Sequence, residues 1–140
     1  MNEKEDITLD DLGAGLMCGL VVRAAPLTGW LFRAPYAHMA VEKVYQHLLE
    51  QPELNLRFAI YLDSIYRKST DWDGQVDRLM LHAWLSQSIP EGTFTVHVSR
   101  LELSVWLLQE NARLPGDRRL WLECTDMFIR TYSELQARAY

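Results

Sequence analysis

The stretch Thr70–Ser88, TDWDGQVDRLMLHAWLSQS, decides how this chain is read. Its core, Leu79-Met80-Leu81-His82-Ala83-Trp84-Leu85, is apolar on almost every side, unlike a helix that shows one face to water. Ahead of it, Thr70 and Asp73 form a Thr-x-x-acid start, in which the hydroxyl caps the first turn and the acid favours the positive helix end. The expectation is a central apolar helix over 71–88 in an all-α fold, a single compact bundle of about six helices.

The neighbouring segments extend that pattern. A helix from Pro52 to about Lys68 would bury Leu54, Phe58, Leu62 and Ile65, with Pro52 in a favoured first-turn position. Another spans about Tyr36 to Glu50. Thr8 and Asp11, with Ile7 and Leu12 as a hydrophobic staple, start a first helix over Leu9 to Ala24. Its Gly15 and Gly19 expose backbone to which a second helix can approach closely. Downstream, Ile89-Pro90-Glu91-Gly92 interrupts the periodicity, and the alternation of Phe94, Val96 and Val98 makes 93–98 the one short extended segment expected. A capping box at Ser99 and Glu102 resumes helix to Ala112. After Leu114-Pro115-Gly116, Asp117 caps a last helix to Arg138, with Cys124, Met127, Phe128, Thr131 and Leu135 inward. Val44-Tyr45 followed by Asp63–Arg67 echoes Val105-Trp106 followed by Asp126–Arg130, as two related helical hairpins would.

The composition suits one domain: 140 residues, 49% of them apolar, need no disulfide or structural metal to remain folded. The net charge of −5 is uneven, because Glu3, Glu5, Asp6, Asp10 and Asp11 face only Lys4 at the N-terminus. Residues 1–7 are read as an acidic tip and 8–140 as the helical domain. A nearly neutral body argues against non-specific adhesion to nucleic acid or to an anionic membrane. The longest apolar run, Gly13 to Val22, is about half of what crosses a bilayer, and the first residues lack the basic and apolar regions of a secretion signal. The expected location is cytoplasmic, without membrane contact.

Catalytic patterns are missing from the sequence: no GxSxG, P-loop, GxGxxG or HExxH occurs. His38, His47, His82 and His97 have no acid three residues before them and no His four away, so a helical metal site is not expected. Cys18 and Cys124 lack paired spacing and read as small core residues. His82, in the apolar helix, is either a satisfied core-rim histidine or a neutral imidazole that ligates haem or serves as a base.

Two surfaces carry the functional reading. Pro26 and Pro35 bracket Leu27, Trp30, Leu31 and Phe32, with Tyr36 following. This aromatic segment either folds back over the core or anchors a partner, and it is the candidate partner-binding set. Arg113, Arg118 and Arg119 flank the final turn, where free N–H groups and the dipole of the last helix favour an anion. Either they hold a phosphate or carboxylate, or Asp117 and Glu123 neutralise them. The leading expectation is a non-enzymatic protein-interaction module, such as an adaptor, regulator, inhibitor or small subunit, binding another protein or itself and needing no cofactor. The alternatives are a helical subunit contacting phosphate or nucleic acid through the Arg-rich turn, and a helical protein enclosing an apolar ligand or haem.

Overall fold

The computed structural model describes residues 4–99 and 118–139. Among these the order is β1 (Glu5–Ile7), α1 (Leu9–Val22), α2 (Pro35–Leu49), β2 (Leu54–Leu56), α3 (Thr70–Leu81), β3 (Leu85–Gln87), β4 (Phe94–Val96) and α4 (Arg118–Arg138). Four helices and two small sheets among the described residues make a mixed α/β fold, and the strands overturn the six-helix all-α bundle. Glu102 of the capping box expected with Ser99, the helix expected over 100–112 and the Asp117 cap lie outside the described residues.

The local signals that do form are close-range ones. Thr8 and Asp11 close a reciprocal capping box at the start of α1, the Thr8 hydroxyl accepting from the Asp11 N–H at 3.2 Å. Pro35 opens α2, which buries Ala37, Ala40, Val41, Val44 and Leu48 at helical spacing. On α4 the inner face is Leu120, Trp121, Cys124, Thr125, Phe128 and Tyr132. This helix packs most extensively on α2, and α1 crosses it through Gly15 and Gly19. A Cβ on Gly15 would come 2.5 Å from the Trp121 ring, so these glycines set the α1–α4 separation.

The central helix ends early. Its cap is Ser69 rather than Thr70, the Ser69 hydroxyl accepting from the Trp72 N–H at 3.2 Å, and its last residue is Leu81. Ala83 then takes φ +62°, its N–H reaching the Met80 carbonyl and that of Trp84 the Leu79 carbonyl. These are the paired bonds of a Schellman motif, with alanine where glycine is usual. The chain reverses into β3, which pairs antiparallel with β4 in the register Leu85↔Val96, Ser86↔Thr95, Gln87↔Phe94. The continuous apolar run is thus shared between a helix end and a strand, each with its own buried side.

The same device ends α1 at Ala24, φ +54°, whose N–H meets the Val21 carbonyl while that of Ala25 meets the Leu20 carbonyl. A left-handed alanine costs about 1–2 kcal/mol, partly offset in glycine by the greater freedom of its unfolded chain. Ala24→Gly and Ala83→Gly should therefore each stabilise the fold by about 0.5–1 kcal/mol. Urea melts check this: the midpoint should rise at unchanged slope.

The helix expected over 52–68 is also replaced. Leu54–Leu56 is β2, parallel to β1 with Asp6 opposite Asn55, and the Asn55 amide donates to Asp6 Oδ1 at 2.7 Å. Glu5–Ile7 of the acidic tip is accordingly a strand, and Ile7 is fully buried. Residues 57–69 are an ordered irregular loop, so Asp63–Arg67 shares no conformation with its helical echo Asp126–Arg130. The reading as two related helical hairpins falls with that difference. No helix among the described residues is long and apolar enough to cross a membrane.

Candidate functional site

The Pro-bracketed segment turns inward. Trp30 is 6% exposed and Phe32 fully buried, their rings stacked at a centroid separation of 5.6 Å. Phe128 and Tyr132 of α4 and Phe94 of β4 complete the cluster. Polar groups are satisfied around it: Trp30 Nε1 donates to the Pro26 carbonyl at 2.6 Å, and the Leu31 N–H donates to the Tyr132 hydroxyl at 2.9 Å. The Trp30 backbone also bridges Phe94, extending the β3–β4 ribbon by one residue. In this structure Trp30 and Phe32 of the expected partner contact are therefore core, because Phe94 offers backbone pairing and α4 offers a ring wall. Leu31 and Tyr36 are half-buried, and Leu27 alone is well exposed, at 41%.

Arg118 and Arg119 are exposed in the first turn of α4, while Arg113 lies outside the described residues. Arg119 Nε is 3.4 Å from Glu123 Oε1, and Glu123 Oε2 is 3.6 Å from His47 Nε2. Glu123 is thus shared between a cation on its own helix and an imidazole on α2.

His82 is exposed at the C-cap of α3 rather than at the core rim, since the helix stops beneath it. It lines an open cleft of about 520 Å³ with Val21, Leu27, Ala83, Val96 and His97. His97 Nε2 lies 2.8 Å from Ser86 Oγ, a nucleophile-and-base spacing. Among the described residues no carboxylate meets the His97 ring to orient it, and no group of three or more potential ligands could hold a metal ion. Both thiols are buried, and burial pushes Cys124 up to about 12, far from a reactive thiolate.

The buried His38 is engaged through one ring nitrogen only. Its Nδ1 accepts the Ser69 N–H at 2.8 Å, and its Nε2 sits 3.3 Å from Asp73 Oδ1, too poorly aligned for a good hydrogen bond. Arg33 holds Asp73 at 3.4 Å and also pairs with Asp77. With one ring nitrogen occupied as acceptor and the other directed at a carboxylate, this cluster ties α2 to the start of α3 and leaves no lone pair for general-base work.

Leu49, Leu81 and Ile89 are single exposed apolar side chains, whereas on the loop between β2 and α3 three such side chains lie close together in sequence. Tyr61, Ile65 and Tyr66 are 76%, 79% and 69% exposed, three large apolar side chains within six residues. The loop beneath them is fixed. Asp63 accepts the N–H groups of Ile65 at 3.0 Å, Tyr66 at 2.5 Å and Lys68 at 3.3 Å. The Asp63 N–H in turn reaches the Lys68 carbonyl at 3.0 Å. These backbone bonds, that of Tyr66 foremost, hold the Asp63 carboxyl below the usual carboxylate range. Underneath, Phe58 packs on Tyr45 of α2 with centroids 5.6 Å apart.

The helical stripe drawn through Leu54, Phe58, Leu62 and Ile65 hid this loop, for it placed Ile65 inside. The signal that could have revealed it is Asp63-Ser64, residue types that bind nearby backbone and favour turns. No protein-family model, curated protein or solved structure matches this chain.

Proposed function

We propose that this chain is a non-enzymatic, cytoplasmic protein-interaction module whose contact is the Tyr61–Lys68 loop. The observation that carries the reading is the exposure of Tyr61, Ile65 and Tyr66 on a loop already locked by Asp63. Large apolar side chains displayed this way do not stabilise the isolated fold. Aromatic anchors dominate binding energy at interfaces, and a pre-ordered loop avoids much of the ordering cost on association. The partner is another protein or a second copy of this chain, and the cytoplasmic placement rests on the sequence.

Replacing Tyr61, Ile65 and Tyr66 together by serine separates contact from fold. Monomer stability should change by no more than about 0.5 kcal/mol per site, as for other exposed positions. Association should weaken by about 2 kcal/mol or more, roughly thirtyfold in affinity. Sedimentation equilibrium measures self-association, and side-by-side capture with wild type and variant measures binding to other proteins. An unchanged oligomeric state together with an identical captured set would reject the loop as the contact.

A further inference from the structure

We propose that His38 is a proton-operated latch on the Tyr61–Lys68 loop: the neutral ring holds the C-terminal end of the loop through Ser69, and the protonated ring releases it. The inference rests on the reading of that loop as the contact surface, whose regulation it describes.

Ser69 follows the loop directly and is also the N-cap of α3. Its N–H donates to His38 Nδ1 at 2.8 Å, so Nδ1 carries a lone pair and the neutral ring keeps its proton on Nε2, toward Asp73. Adding a proton places an N–H at Nδ1, opposite the N–H of Ser69. Two donors cannot share that contact. The Nε2 side has the opposite response, because a charged ring is drawn to Asp73, whose Oδ1 at 3.3 Å is still badly aligned. Protonation therefore trades the loop anchor for a stronger tie to α3.

The groups facing the ring set the pH range. Burial opposes the charge most and lowers the His38 pKa below the ordinary histidine value. The Asp73 carboxylate of α3 and the Arg33 backbone before α2 favour the charged ring, while the Lys68 ammonium at the loop end disfavours it. The Arg33 guanidinium is occupied by Asp73 and Asp77. The latch is closed at neutral pH. The unfolded chain takes up this proton before the folded one, so the stability tied to neutral His38 is complete above about pH 6.5 and is lost on acidification toward the lower folded value.

The test uses the isolated full chain, labelled with 15N and taken from pH 7.5 to 5. His38 ring shifts report protonation, and amide protection factors, corrected for intrinsic exchange, report the loop. Protection of the Ser69 amide, the donor to Nδ1 at the loop's C-terminal end, should fall at least tenfold in step with His38 protonation, while the amides of α4 keep theirs. Unchanged Ser69 protection while His38 titrates would overturn the latch. In His38→Asn, the side-chain oxygen replaces Nδ1 as acceptor without titrating, so the Ser69 amide should stay protected across the range. An acid transition like that of wild type in this variant would also overturn it, and should the variant not fold, the wild-type comparison decides alone. Partner capture at pH 7.5 is measured separately, so a chain that binds nothing removes the contact reading and leaves the latch to be judged on the isolated loop.

Discussion

Trp30→Ala should lower the unfolding free energy of the isolated chain by about 3 to 5 kcal/mol, the usual cost of deleting a large core ring. The indole lies against Phe32, Phe128 and Tyr132, so its removal opens a cavity that three rings on two separate segments cannot close by small shifts. The variant also loses the donor to the Pro26 carbonyl, which closes the turn around Gly29. Association through the Tyr61–Lys68 loop should be unaffected apart from the smaller folded fraction. Denaturant melts and sedimentation of the same two proteins read both quantities. A loss under about 1 kcal/mol combined with weakened association would return Trp30 to the surface as a partner anchor.

Gly19→Ala should cost about 2 to 3 kcal/mol, although alanine is ordinarily the better helix former. The new Cβ would lie 2.8 Å from Thr125 Cβ and well inside contact with Thr125 Oγ1. Rotating Thr125 gives little relief, because its hydroxyl donates to the Trp121 carbonyl at 2.8 Å and its side chain is fully buried. The helices α1 and α4 have to separate instead, which loosens the Gly15–Trp121 contact one turn away. Gly74→Ala in α3 is the matched control. Its Cβ meets only Arg78 Nη1 at 3.8 Å, so the substitution should stabilise by up to about 1 kcal/mol. A double-mutant cycle of Gly19→Ala with Thr125→Ala should show a coupling of 0.5 kcal/mol or more, since the second change removes the atoms that clash first. Additive effects would mean that α1 and α4 do not meet at these residues.

The close approach at Gly15 and Gly19 was legible from sequence, as were the Thr8–Asp11 box, the helix expected from about Tyr36, which Pro35 opens, and the extended segment around Phe94. In each case the deciding groups lie within a few residues of one another: a hydroxyl reaching its own first turn, a ring that fixes φ, a missing side chain. The candidate contact was not legible, and the inward turn of Trp30 and Phe32 was one of two readings that the segment allowed. An apolar segment between two prolines satisfies a core and an interface equally well until the backbone of Phe94 and the rings of α4 arrive beside it.

Two competing periodicities explain the larger error. Leu54, Phe58, Leu62 and Ile65 fit a helix, but Leu54, Leu56, Phe58, Ile60 and Leu62 alternate as a strand does over the same residues. Propensity cannot choose between them. Glu5–Ile7 chooses, by supplying from far along the chain the backbone partners that make the extended form cheaper than helix. The apolar run Leu79–Leu85 is divided for a similar reason: no glycine marks the end of α3, and Ala83 adopts its strained φ because pairing β3 with β4 and burying Leu85 offset that cost. Caps, prolines and small residues speak for themselves because their partners are adjacent in sequence, whereas strand against helix, and inside against outside, were settled by partners that only the folded chain brings near.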